Sequence, residues 1–465
     1  MSAFPSHRMP PGLEASVALS RTLSAAGSDA ALLLVDLDGV AAVNLQDGFT
    51  AGDELLALTA DALEGAVRGL ALGAAGTAVV RLACDEFAVV LDGVAVDLML
   101  DVATTLTRAA GDASGLGACG GIAPIITSAE GSTDVRRTVR AAGLALRAAL
   151  RAGSGSVRGP SAHEGTLTTV EEEDLEVRTL LRSGGFELHF QPLVDPMSAR
   201  PFGVEALVRA RSTAGTVSGP GGFLPQVRRS GLSTQLGTAI IADALSRWNG
   251  LLRQALRTHP EGKGPADVVL SVNVDAEQVE QDGFDGLVLH LLERSDVPAE
   301  ELVLEVTEAV LGGAAARTRL QRLRDAGVRV AIDDFGAGPV VLSEIRGLPV
   351  DILKVDQVLV GRLDSEKPDV GLIEDLQRLA ALLGLQLAVE AVETPALAAR
   401  IAELGVPIAQ GYHYARPMPP EELAARLLVA NAVTPSGVVG GVVPGEVLLG
   451  EVLPGAATPG GAGER

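Results

Sequence analysis

The stretch VAIDDFG, residues 330–336, reads as a buried β-strand that ends in two adjacent carboxylates, Asp333 and Asp334. An unpaired charge in a strand core costs several kcal/mol, so such an ending needs a reason. Six other apolar runs repeat the pattern: FGVEALVR carries Glu205 and Arg209, VVLSVNV carries Asn273, and LVLEVTE carries Glu305. VDILKVD carries Lys354, LAVEAVE carries Glu390 and Glu393, and PIAQGY carries Gln410. Polar groups at the same end of successive strands point to one shared acidic pocket at one end of a barrel.

Working outward, strand candidates run from FELHFQPLV through GVEALVRA, DVVLSVNV, LVLEVTE, RVAIDDF, VDILKV and LQLAVEA to VPIAQGY. Amphipathic helices such as QLGTAIIADALSRWNGLLRQAL and VGLIEDLQRLAALLG lie between them. Eight strands with intervening helices over about 250 residues predict a TIM-like (β/α)8 barrel, which carries its functional groups at the strand C-terminal ends. Residues 14–158 alternate strand and helix patterns and predict a smaller α/β domain, with residues 1–13 outside it as a disordered start. Residues 159–177 read as a linker that becomes acidic and helix-like, the barrel is expected over 178–430, and 431–465 form a Gly/Pro/Val-rich low-complexity tail.

Composition narrows the function. A net charge of −22 argues against a nucleic-acid backbone or an anionic bilayer as the main partner. Only Cys84 and Cys119 are present, without metal-ligand spacing, which fits a reducing, cytoplasmic setting. No run has the roughly 20 apolar residues of a membrane span, and the start MSAFPSHRMPPG has no apolar core to serve as a signal peptide. Lysine occurs only at Lys263, Lys354 and Lys367 in an arginine-using chain, so the lysine inside VDILKVD marks a place where a compact ammonium is required.

Five carboxylates (Glu205, Glu305, Asp333, Asp334 and Glu390) and the amide of Asn273 form an all-oxygen donor set that suits Mg²⁺ or Mn²⁺ better than zinc. Adjacent Asp333 and Asp334 can serve two ions about 4 Å apart, the arrangement used for in-line attack on phosphorus. Arg209 and Lys354 would then bind phosphate oxygens. Each acid alone reads equally well as a surface ion pair or a helix cap; seven strand ends in order do not. Together they describe a phosphodiester hydrolase.

Over residues 178–430 the chain resembles the EAL domain, the barrel phosphodiesterase that cleaves cyclic di-GMP to linear pGpG. Glu205-Ala206-Leu207 is the signature tripeptide, and FQPLV, VNV, LEVTE, AIDDFGAG, LPVDILKVD, VEAVET and QGYHYARPM follow in the family's order. The resemblance implies that Glu205, Asn273, Glu305 and Asp333 hold one ion, that Asp333 bridges to a second held by Asp334, and that Glu390 helps hold or activate the attacking water. Lys354 would orient water or phosphate; Gln191, Leu207, Arg209 and Gln410 would meet the substrate or the groups around it; Glu308 would anchor the loop after DDFG and Glu393 would support the ligand shell. A homodimer is also implied. Departures concentrate in that loop, where Pro339, Val340 and Val341 replace aromatic and hydroxyl residues, and Ala391 stands where the family has glycine. They make a catalytically silent cyclic di-GMP receptor the rival expectation.

Residues 14–158 resemble a GGDEF domain, the diguanylate cyclase fold, through DLDGVAAVN, GDELL and RLACDEF. Asp36, Asn44, Asp53, Asp85 and Glu86 are retained, so binding of GTP or metal is a residual expectation. Ala83 and Cys84 replace the two signature glycines, whose freedom at positive φ and lack of a β-carbon let backbone approach phosphate. In the last helix, Gly143 and Leu150 stand where the family carries Asp and Lys. Cyclase activity is expected to be lost, leaving a regulator or scaffold.

Overall fold

The computed structural model describes residues 12–70, 77–82, 85–129, 131–160, 169–212, 215–257, 268–335, 347–355, 359–360 and 370–432. The first domain is a five-stranded sheet in the order β2-β3-β1-β4-β5, made of β1 (Ala31–Asp38), β2 (Ala78–Arg81), β3 (Glu86–Leu91), β4 (Gly117–Pro124) and β5 (Val157–Arg158). Strand β1 lies centrally, antiparallel to both β3 and β4. Its alternation divides the domain into two cores: Leu33, Val35 and Leu37 face one, Leu32 and Leu34 the other. Helices α3 (Phe49–Gly69) and α4 (Met99–Ser114) cover the first face; α1 (Leu13–Ala25) and α5 (Val135–Ala152) cover the second. The VAAVN segment, which reads as a turn, is instead the short helix α2 (Val40–Asp47), entered through Gly39 at φ +98°.

Glycines interrupting β4 set how closely the layers pack. A β-carbon on Gly120 would sit 2.3 Å from Thr107 Oγ1 on α4, and one on Gly121 would sit 2.0 Å from the backbone nitrogen of Leu146 on α5. The two helices therefore close on opposite faces of a strand that has no side chains there.

The acidic end of the expected linker is helical: α6 (Thr169–Arg182) lies along α5 and feeds the second sheet. That sheet contains β6 (Phe186–Asp195), β7 (Arg200–Arg211), β8 (Val217–Ser218), β9 (Val269–Asn273), β10 (Leu302–Thr307), β11 (Arg329–Phe335), β12 (Ile352–Val355), β13 (Gln386–Val389) and β14 (Ile408–Ala409). Pairing runs β7, β9, β10, β11, β12, β13, β14, and both β14 and β7 pair with β6, so all eight expected strands close into a barrel, with β8 as a short outer addition. The first strand runs antiparallel to its neighbours and the others are parallel.

Leu193, Val269, Val303, Ala331, Ile352, Ala388 and Ile408 form a cluster of their own, separate from the core between strands and helices, and plug the barrel's interior. Two residues further along the parallel strands the same inward face carries Ser271, Glu305, Asp333, Lys354, Glu390 and Gln410. The seal lies directly beneath the polar ring.

Gly121→Ala is expected to destabilise the first domain by about 1–3 kcal/mol through overpacking against α5. A lower melting temperature with unchanged far-ultraviolet dichroism would bear this out.

Candidate active site in the barrel mouth

Lys354 organises the ring. It is 3 % exposed on β12, and its ammonium donates to Glu305 and to Glu390. Asp333 Oδ1 lies 3.4 Å and Glu205 Oε2 4.0 Å from the same nitrogen. Glu205 also accepts 2.6 Å from Asn273 Nδ2 and 2.7 Å from Gln410 Nε2. Gln410 Nε2 reaches Gln191 Oε1 at 3.1 Å, and Gln191 donates in turn to the Ala415 carbonyl at 2.9 Å. Glu205, Asn273, Glu305, Asp333, Lys354, Glu390, Gln191 and Gln410 thus converge from different strands into one network.

The carboxylates outnumber the cation. Burial pushes the Glu390 carboxyl up to about 7 against the opposing pull of Lys354, with Glu205 and Asp333 adding repulsion. Burial, then Glu205, hold Glu305 well above the usual carboxylate range despite Lys354. The Lys354 ammonium is held above its ordinary value because Glu205, Glu305, Glu390 and Asp333 together outweigh its desolvation. Burial works the other way on Arg209, which is lowered with only weak opposition from Tyr412 and Glu205.

This donor set fits a divalent ion. One oxygen from each of Glu205, Glu305 and Glu390 lies within 4.8 Å of the other two. Asp333 Oδ1 is buried and has no hydrogen-bond partner, its 3.4 Å approach to the Lys354 ammonium being an ion pair alone. A buried carboxylate oxygen left in that state fits the role of a cation ligand. The Asn273 amide would present Oδ1 to an ion after a half-turn of its amide group.

Between Ile332 and Phe335 the register against β12 shifts, so Asp333 and Asp334 together oppose one residue, Lys354. Such a bulge re-aims side chains at a site. The side chain of Asp334 lies outside the described part of the structure, as do residues 336–346 with the altered loop. Arg209 is half-buried and donates to the carbonyl of its neighbour Val208 at 3.0 Å; Leu207 is likewise half-buried on β7. Glu308 is buried in the 3₁₀ turn after β10, whereas Glu393 is exposed.

Sequence reasoning missed Ser271, whose hydroxyl donates to Glu305. Its signal was a hydroxyl at the inward position two residues before Asn273. It also missed Tyr412, over whose ring the Arg416 guanidinium lies at 4.3 Å. Ala391 holds φ +52°, a conformation that glycine adopts freely and alanine does not, and it turns the chain immediately after Glu390. The next loop closes against this turn: a β-carbon on Gly411 would lie 2.1 Å from the Val392 carbonyl oxygen.

In the first domain Asp36, Asn44, Asp53, Asp85 and Glu86 lie on or beside β1, α2, α3 and β3, while Ala83 and Cys84 lie outside the described residues. Asn44 packs onto Gly52, where a β-carbon would meet its Oδ1 at 1.9 Å.

With this geometry in view, the family models for the GGDEF domain and the EAL domain match residues 13–156 and 174–417. The chain belongs to the GGDEF–EAL family. An uncharacterized protein of Mycobacterium tuberculosis, Rv1354c, is 29 % identical over 87 % of the chain and 64 % of its own length. MucR of Pseudomonas aeruginosa, described as a bifunctional diguanylate cyclase/cyclic di-GMP phosphodiesterase, is 29 % identical over 85 % of the chain and 56 % of its own length. The chain therefore spans less than two thirds of these relatives. Among solved structures, the EAL enzyme Bd1971 with cAMP and cyclic di-GMP bound aligns at a TM-score of 0.52 and 25 % identity, covering 56 % of this chain and 69 % of that one. No helix among the described residues is long and apolar enough to cross a membrane.

Two outcomes follow from the site. A carboxyl whose folded value is raised keeps a proton that the unfolded chain releases, so Glu390 makes the metal-free fold lose stability as pH rises from about 4.5 to about 7. Metal replaces that proton, so Mn²⁺ should raise the melting temperature more at pH 8 than at pH 5.5; equal shifts in scanning fluorimetry would contradict this. Ala391→Gly should relieve the positive φ and, after the added freedom of the unfolded chain, stabilise by roughly 0.5–1 kcal/mol in urea titration.

Proposed function

We propose that this chain hydrolyses cyclic di-GMP to linear pGpG, with its GGDEF domain as a scaffold that makes no cyclic di-GMP. The observation that carries the reading is the convergence of four barrel carboxylates on one buried lysine, Lys354, with the buried Oδ1 of Asp333 receiving no hydrogen bond. The description of MucR and the bound nucleotide of Bd1971 support the substrate class.

Glu205, Asn273, Glu305, Asp333 and Glu390 would hold Mg²⁺ or Mn²⁺, and Asp334, beside the bulge, would complete a second position. The ions would supply Lewis-acid stabilisation of phosphate charge and a water of lowered pKa. Glu390, held near neutrality by its burial, is suited to take the proton from the attacking water. Lys354 keeps its ammonium and directs it at the ring, where it can balance charge on a phosphate oxygen without acting as an acid. Gln410 donates to one Glu205 oxygen and would keep this carboxylate oriented when Asn273 turns its amide oxygen to the ion. Arg209, within the field of Tyr412 and Glu205, would meet the substrate's second phosphate or a guanine. The two cysteines, with Cys119 free and buried, suit a reducing, cytoplasmic setting.

Purified protein with cyclic di-GMP and Mn²⁺ should yield pGpG, read by liquid chromatography. Glu205→Ala and Asp333→Ala should each lower turnover at least 100-fold, as removal of a metal-holding or orienting group does. Ala83→Gly combined with Cys84→Gly should leave hydrolysis within about 2-fold of the parent. Tight binding without pGpG would make the chain a receptor instead, and parental turnover in the Glu205 variant would overturn the ligand assignment.

A further inference from the structure

Two acids of the first domain, Glu86 and Asp53, are engaged by the second. Glu86, 3 % exposed at the start of β3, accepts from Arg182 twice, with Nε 2.7 Å from one oxygen and Nη2 2.6 Å from the other. Asp53 on α3 accepts from Arg81 at 3.2 Å and approaches His290 Nε2 at 2.9 Å. Arg182 and His290 both belong to the EAL half of the chain. Arg182 ends α6 and His290 sits on the barrel helix Phe284–Ser295.

We propose that the acidic face of the GGDEF domain serves as the docking latch for the barrel of its own chain, with Arg182 seated where a divalent cation would otherwise neutralise Asp36, Asp85 and Glu86. The pocket is shaped for that guanidinium. A β-carbon on Gly143 would lie 2.9 Å from Arg182 Nη1, so the residue at this place in α5, where the family resemblance expects an aspartate, leaves room for the arginine. Asp36 is held up to about 8 by burial, Asp85 and Glu86, and Arg182 is the cation that opposes them.

Around this centre α6 is guided onto the domain. Glu172 pairs with Arg140, and Glu171 with Arg147 and Arg151, along the facing surface of α5. At the second contact Phe49 stacks on His290 with ring centroids 5.7 Å apart. Gly283 and Gly286 admit this neighbour: their β-carbons would come within 3.1 Å of Leu45 and 3.3 Å of Phe49. The cleft lined by Glu86, Arg182, Leu82 and Thr238 has a volume of about 30 Å³, space for a water or two. A cation from solution that takes both Glu86 oxygens must displace Arg182. This inference stands whether or not the barrel hydrolyses cyclic di-GMP.

The test uses the full chain with Arg182→Gln or Glu86→Gln, each removing one charge and the second keeping the side chain's shape, and His290→Gln as a milder variant outside the buried pair. Small-angle scattering and calorimetry read the result. Loss of the latch should raise the radius of gyration and split unfolding into separate domain transitions, most in the Arg182 and Glu86 variants. Amide exchange on Phe49–Gly69 and Phe284–Ser295 should quicken in the same variants while the barrel strands keep their protection. A parental radius, unsplit unfolding and unchanged exchange in the Arg182 and Glu86 variants would overturn the proposal.

Discussion

Four carboxylates share one ammonium inside a barrel mouth, and the rest of the second domain is organised around that imbalance. Two unit charges 4 Å apart interact by about 4 kcal/mol at an effective dielectric constant of 20, so the repulsion among Glu205, Glu305, Asp333 and Glu390 exceeds what Lys354 alone offsets. The surplus is resolved by holding a proton near neutrality, as at Glu390, or by taking up a cation. Neither would act on a defined geometry if the interior beneath were wet. The apolar layer from Leu193 to Ile408 closes the barrel two residues below the ring, and the hydrogen bonds of Ser271, Asn273 and Gln410 hold the carboxylates facing one another.

The first domain meets the same problem by a different route. Its acids also crowd at strand ends, and burial raises both Asp36 and Asp85. There the compensating charge comes from the protein itself, through Arg182 on Glu86 and through Arg81 on Asp53, which also meets the His290 ring. A guanidinium is planar and fixed by two parallel hydrogen bonds, so it supplies direction as well as charge. One acidic cluster has the donor set to hold a cation from solution, while in the other Glu86 and Asp53 are already paired within the chain.

Much of the barrel was legible because its polar residues fall at strand ends with period two, a pattern a buried strand does not produce by chance. Strand direction was less visible. Treating the eight runs as equal hid the antiparallel first strand, although only residues 196–199 separate β6 from β7, too few for a parallel crossover. Ser271 escaped because a serine in an apolar run carries no charge to attract notice. Arg182 escaped for a deeper reason: at the end of an acidic helix it reads as a favourable partner of the helix dipole, and its actual partner is 96 residues away. Ala391 was legible as a departure, and its cause is the positive φ that the turn after Glu390 imposes.

The ion pairs along α5 and α6 do not carry equal weight. Those of Arg140 and Arg151 are partly exposed and contribute little individually, because water and salt screen them and long side chains lose freedom in forming them. Arg182 and Glu86 are almost fully withdrawn from water, with side chains 9 % and 5 % exposed. A buried pair is poor evidence of net stability, yet removing either member leaves the other charge uncompensated. Its consequence is selectivity among arrangements: any placement of the barrel that shifts α6 along α5 strands both charges at once. Since α6 continues into β6, which carries Gln191, the constraint that orients the domains also fixes the entry of the strand that meets Gln410 in the acidic ring.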